Sequence, residues 1–512
     1  MRSTNSLKNA IVALIMNIIN IVIGFIAQKV FIVTLGDVCL GINGLFNNII
    51  SMLGVVELGF GSAIICNLYK PIAEDDKPKI KTLMNFYKKS YRLIAFVVFI
   101  IGLLVLPFIN NIVGDVVFQY NIYFIFMLYL IDVVCSYLLT YKRSILYASQ
   151  KAYVINIVHI VYTLVMNGLQ ILFLFLAHNF VIYLVIKIAC RIVENVAINI
   201  VVNKRYTYLR EKNVEKIEED TKNDIIKKIK GLIFHKIGGF FVLGTDNIII
   251  SVMPKLGVIM VGLYSNYNMI ITAVNTLLSQ IFSSIVASVG NLLVENDREK
   301  SYAVYKKMLL LNSWLFAFAG TCILCLMQPF IELVFGTRYV LDFAVLIVLV
   351  INFYVQGMRK TCSTFKEAAG IFHEDRFAPI FESFLNIIFS VLFAYWFGLA
   401  GVFMGTIVSS FALFFFSYPK FVYKPLFKKS YKQYFKEYFV YLIITVIAVA
   451  PTYMITNVCT VSNLFLQLVI NSIICLIIPN VVYYIIMRNS EEFHYYKELL
   501  INTVRKISRG RV

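Results

Sequence analysis

The chain has 512 residues, of which 60% are hydrophobic and only 15% charged, with a mean hydropathy of +0.79. A soluble domain carries about 25% charged residues, so this balance excludes a soluble enzyme or nucleic-acid-binding domain and places the chain in a membrane. The 47 Lys and Arg outnumber the 28 Asp and Glu, net +19, which reads as a bias of membrane loops and not as a nucleic-acid footprint.

Apolar runs long enough to cross a hydrocarbon core of about 30 Å recur from end to end. They lie at about 9–33, 39–67, 91–113, 120–141, 153–177, 179–202, 232–252, 257–290, 307–335, 340–358, 378–397, 400–418, 438–457 and 464–487, fourteen in all. The start at Met1 to Asn9 is short and polar, and the first run is too long for the apolar region of a cleavable signal. All but six of the 47 Lys and Arg fall in the two termini and the alternate loops on their side. The exceptions are Lys255 and Arg338 in opposite loops, and Lys29, Lys187, Arg191 and Lys236 in or beside spans. The basic side is cytoplasmic, so both termini are expected inside, in a multi-pass plasma-membrane protein.

The first span carries Asn17, Asn20, Gln28 and Lys29, a polar load that belongs in a bundle interior or a wet cavity. The second holds Glu57 in a glycine-broken run, Gly54 to Gly61, and the loop from Tyr69 to Arg92 is strongly basic. The fourth has Asp132 near mid-depth. In the sixth, Lys187, Arg191 and Glu194 recur at i, i+4 and i+7 and share one helix face. At 1.5 Å per residue, Arg191 lies about 18 Å along a helix starting near Asn179, close to the bilayer centre. A charge there costs about 2.5–3.5 kcal/mol on insertion scales. Two accounts of Arg191 and Lys187 compete: an anion site, or a structural pair with Asp132 or Glu194. The charged break from Asn203 to Lys230, with Ile225, Ile226 and Ile229 in it and Ile233 just beyond it at helical spacing, predicts an interfacial helix linking the halves. His235 and Lys236 open the seventh span, and Asp246 sits in its outer part. The tail, 488–512, puts Phe493, Tyr496, Leu500, Val504 and Ile507 on one face against a basic one, suited to anionic inner-leaflet lipids.

Leu35 to Ile50 (LGDVCLGINGLFNNII) returns 221 positions later as Leu256 to Ile271 (LGVIMVGLYSNYNMII), with six of sixteen positions identical. A repeat of this size predicts two halves built alike. The nine cysteines form no C-x-x-C pair, and the five histidines, His159 among them, are scattered. No metal or cofactor is expected.

Four stretches resemble polysaccharide flippases of the Wzx type, in the multidrug/oligosaccharidyl-lipid/polysaccharide exporter superfamily. They are Gly244 to Tyr267 (GTDNIIIS, then LGVIMVGLYSNY), Leu35 to Gly61 with its ELGFG, Leu68 to Arg92, and Glu367 to Glu382 followed by GLAGVFMGTIVSS. The resemblance covers nearly the whole chain. It implies an all-α membrane fold of about 14 helices: two six-helix lobes around a central cavity, and two carboxy-terminal helices. The expected divisions are an N-lobe 1–202, a linker 203–231, a C-lobe 232–420, helices 13 and 14 at 421–487 and the tail 488–512. It also implies alternating-access movement of undecaprenyl-pyrophosphate-linked oligosaccharide from the inner to the outer leaflet, with a polysaccharide polymerase as a candidate partner.

On physical grounds an anionic head group needs cations at depth, and Arg191, Lys187 and Lys29 qualify, guanidinium matching phosphate oxygens bidentately. Tyr264 and Tyr267 could stack on sugars. Asp246, Glu57, Asp132 and Glu194 are candidates for gating or for a coupling H+ or Na+. The competing functions are a cation-coupled multidrug exporter and a peptidoglycan-precursor (lipid II) flippase. An enzyme is not expected, because the outer loops are short and gather no nucleophile or paired carboxylates.

Overall fold

Backbone amides inside a bilayer find no water, so each crossing segment must bond its own. The computed structural model describes residues 2–57, 60–211, 217–223, 225–226, 244–295, 297–371 and 374–508, and every regular element among them is helical. The helices pack as two units, Met1–Ser265 and Asn266–Val512.

The first unit contains α1 (Arg2–Leu53), α2 (Phe60–Ala73), α3 (Lys77–Val105), α4 (Ile109–Val113), α5 (Ile122–Leu138), α6 (Tyr141–Ala148), α7 (Ala152–Ala177), α8 (Phe180–Arg205) and α9 (Asp246–Val252). It ends in the first turns of α10 (Gly257–Val294). The second unit continues α10 into α11 (Arg298–Phe335), α12 (Phe343–Met358), α13 (Lys360–Ala369) and α14 (Ala378–Phe411), which runs into a π-helical segment, Ala412–Tyr423. Then come α15 (Lys424–Phe427), α16 (Tyr431–Val458), α17 (Leu464–Met487) and the tail helix α18 (Glu491–Ser508).

Among the described residues, nine helices are long and apolar enough to cross a membrane, ten if α5 and α6, bent by 46°, form one span. This is a multi-pass membrane protein. The helices α1 and α14 are each broken by a glycine outside helical geometry, Gly36 and Gly398, and so supply two spans apiece. The helix α8 misses the count only because Lys187, Arg191 and Glu194 interrupt its apolar run. With α9 as the described part of the seventh span, these helices account for the fourteen expected. The beginning of that span, with His235 and Lys236, and Ile229 and Ile233 of the expected linker helix lie outside the described residues.

The repeat is written in the backbone breaks. Gly36 and Gly257 both adopt φ +78°, and Gly114 (+74°) answers Gly336 (+106°). Gln150 (+57°) answers Gly370 (+70°), and His178 (+47°) answers Gly398 (+59°). Helix starts match too: Asp76 caps α3 and Asp297 caps α11, each carboxylate accepting the amide three residues on. Asn121 and Asp342 likewise cap α5 and α12. All these pairs are 220 to 222 positions apart, so two polypeptide halves turn at equivalent places although few side chains agree.

In the first unit, α1 and the start of α10 meet through the repeated motif itself. A Cβ on Gly41 would overlap the carbonyl oxygen of Val258, and one on Gly262 would lie 3.1 Å from that of Asp37. Gly41 is equivalent to Gly262 and Asp37 to Val258, so the crossing is reciprocal, and only glycine permits so close an approach. In the second unit the tail helix docks on α11: Glu492 pairs with Lys306 at 2.8 Å and Phe493 stacks on Trp314. Leu499, Leu500 and Ile501 stay exposed, as a helix lying on a lipid surface requires.

Candidate functional site

Within the first unit, the charged face of α8 meets α5, α6 and α7 in two linked clusters. In the first, Asp132 of α5 chelates Arg191, with Oδ1 accepting from Nε at 2.7 Å and Oδ2 from Nη2 at 3.3 Å. Lys187 reaches the same carboxylate, Nζ to Oδ2, at 3.3 Å. Lys187 also donates to Asn47 of α1 at 3.4 Å and lies 5.0 Å from the ring centre of Tyr129. Asn47 bonds Asn43, and Asn43 accepts from the Tyr129 hydroxyl. Two cations thus share one buried carboxylate.

The second cluster centres on Glu194, whose side chain is fully buried. Its Oε1 is 3.2 Å from Nη2 of Arg143 on α6 and 2.9 Å from Nδ1 of His159 on α7, while Oε2 has no donor among the described residues. Arg143 also donates to Asn195. Tyr162 joins the clusters, its ring 5.4 Å from His159 and 5.7 Å from the Arg191 guanidinium. Three basic side chains, Lys187, Arg191 and Arg143, therefore face two carboxylates, Asp132 and Glu194.

The structure revises several expectations. Glu194 shares a helix face with Lys187 and Arg191, yet it turns to Arg143 and His159, because α6 and α7 bring those donors closer than its own helix can. Tyr267 is fully buried and its hydroxyl accepts the Leu341 amide at 2.9 Å, while Tyr264 is buried within electrostatic reach of Asp246. Burial leaves neither ring a free face for a sugar in this conformation. Glu57 is bonded by the Tyr91 hydroxyl at 2.9 Å, and Asp246 is buried in the first turn of α9. Lys29 is half-buried on α1, with no ion-pair partner among the described residues. Neither Arg143 nor His159 stands out in the sequence as a partner of Glu194. Their contacts to Glu194 span 51 and 35 positions, and no periodicity reports such pairs. The position of Tyr129 three residues before Asp132, on the same face of α5, was the one local signal available. Among the described residues no group of three or more His, Cys, Asp or Glu could hold a metal ion.

The second unit has a half-open groove of about 1200 Å³ between α11, α12, the end of α14 and α16. Its walls are apolar, with Phe316, Phe343, Phe411, Phe439 and Tyr453 among them, and Lys432 and Lys436 are its charged members. Such a lining accepts a hydrocarbon chain and nothing polar along most of its length.

Two units of membrane-spanning helices with a charged interior cluster define the class: a polytopic α-helical membrane protein. No family model and no curated protein matches the chain. Among solved structures it is similar to the lipid II flippase MurJ in an inward closed conformation, with 15% identity and a TM-score of 0.65 over 94% of this chain and 99% of that one. An inward-facing multidrug resistance MATE family transporter of the MOP superfamily follows, at 14% identity and TM-score 0.58, covering 78% and 94%. A MATE transporter from Vibrio cholerae gives 13% identity and TM-score 0.55 over 85% and 99%. At these identities the likeness is one of fold.

Proposed function

We propose that this protein is a flippase that moves undecaprenyl-pyrophosphate-linked oligosaccharide repeat units from the inner to the outer leaflet. The observation that carries this reading is the pairing of two half-buried basic side chains, Arg191 and Lys187, with the single buried carboxylate of Asp132. A structural ion pair needs one cation per carboxylate, and an under-neutralised cation away from water is costly to hold. Placed beside an anionic head group, that cost becomes attraction. A pyrophosphate can displace Asp132 and accept the guanidinium fork and the ammonium together. The apolar groove of the second unit supports a cargo with a hydrocarbon tail. The fold shared with a lipid II flippase supports it as well. An exporter of organic cations calls for a carboxylate excess, which is the reverse of what this cluster holds.

Substitution tests the reading. Lys187 remains 3.3 Å from Asp132 when Arg191 is removed, so Arg191→Ala should accumulate in the membrane near the normal level. Export of surface polysaccharide in the native host should be lost, and Arg191→Lys should restore part of it. If Arg191 is only structural, Arg191→Ala combined with Asp132→Ala restores export, and that result would reject the binding role.

A further inference from the structure

We infer that His159 is a proton site linked to the anion site, so that a proton and the anionic head group bind together. The geometry of the Glu194 cluster carries this. A neutral imidazole can make the 2.9 Å contact to Glu194 only as the Nδ1–H tautomer, donating to Oε1. Nε2 is then left with a lone pair, and about a third of the His159 side chain is exposed (32%). A proton can therefore be added at Nε2 without breaking the bond that holds the ring. Histidine is the side chain whose ordinary titration falls in the physiological range.

The groups that set its proton affinity face it from each packed helix. Glu194 on α8 lies against it with negative charge, and Arg143 on α6 and Arg191 on α8 bring positive charge to the same cluster. Asp132 on α5 offsets Arg191, and α1, packed along α7, makes no ion pair with His159 among the described residues. Tyr162 and Cys190 lie nearby as neutral titratable groups. Tyr162 touches both the His159 ring and the Arg191 guanidinium, so the two sites share one low-dielectric locale. An anion bound at Arg191 and Lys187 cancels the opposing charge, and a proton on His159 adds an attracting one. The effect is reciprocal by linkage, and couplings of this kind are on the order of tenfold. The sign follows: head-group affinity rises as pH falls, and binding takes up a proton.

The linkage rests on the cargo reading above, and calorimetry separates the two. The full-length protein in nanodiscs is titrated with farnesyl-pyrophosphoryl-N-acetylglucosamine, a diester whose phosphates stay ionised, from pH 8 to 5.5 in buffers of different ionisation enthalpy. The wild type should bind on the order of tenfold more tightly at the acid end, taking up part of one proton. His159→Gln, whose amide can still donate to Glu194, should bind like the wild type at pH 8 and lose both the tightening and the proton uptake. Absence of proton uptake in the wild type, or the same pH profile in His159→Gln, overturns the proton site and leaves the cargo reading standing. Absence of binding by the wild type at every pH, or binding by Arg191→Ala at wild-type strength, removes the cargo reading and the linkage with it.

Discussion

Arg191 and Arg359 show how the same side chain can sit in two energetic situations. Arg359, in the second unit, forks onto Glu382 with Nη1 to Oε1 at 2.6 Å and Nη2 to Oε2 at 3.1 Å, and also donates to Gln356. Both side chains are nearly enclosed, and among the described residues neither carboxylate oxygen pairs with a second cation. Removing one member of such a pair leaves a buried charge uncompensated, at about 3–5 kcal/mol. Arg359→Ala should therefore lower the melting temperature of the detergent-solubilised protein strongly, and adding Glu382→Ala should recover much of the loss. Arg191→Ala should shift melting less, since Lys187 keeps Asp132 paired. Equal shifts for the two single variants would show that Lys187 does not substitute for Arg191.

Helix starts and stops were legible because they depend on local chemistry. An Asn or Asp accepts the first free amides, as Asn179 does for Val181 and Ile182, and glycine supplies the positive φ that ends a run. His178 does the same work at φ +47° with a side chain less suited to it, so no turn signal marked it. Two glycines of the repeated motif differ in kind. Gly36 has open space around it but lies at φ 78°, ψ −175°, a region open essentially to glycine alone, and an alanine there costs roughly 1–3 kcal/mol of backbone strain. Gly41 has ordinary helical geometry, but its Cβ would overlap the Val258 backbone, which no rotamer change can relieve. Gly41→Ala should thus force α1 and α10 apart and reduce membrane accumulation in a fluorescence-tagged expression assay, whereas Gly36→Ala should remain well expressed. The opposite order would mean that the crossing is not a tight one.

For the molecule as a whole, an even number of spans with the basic loops on the inner side predicts that both termini are cytoplasmic. Reporter fusions at Lys212 and Ile507 should read inside, and fusions at Asn179 and Thr337 outside. An inside result at Asn179 would invert the order of the spans around α8, and with it the depth assigned to Arg191. Hydropathy and loop charge were enough to establish an all-helical membrane protein with Arg191 inside a helix. They suffice because the bilayer acts on each segment separately, by its own apolar length and flanking charges. The partners of the charges were a different matter. Which carboxylate Arg191 takes, and that Glu194 turns from its own helix to Arg143 and His159, depends on how neighbouring helices rotate and approach. Those contacts join positions 35 to 59 residues apart, a relation carried by no local pattern, and only the packed bundle decides it.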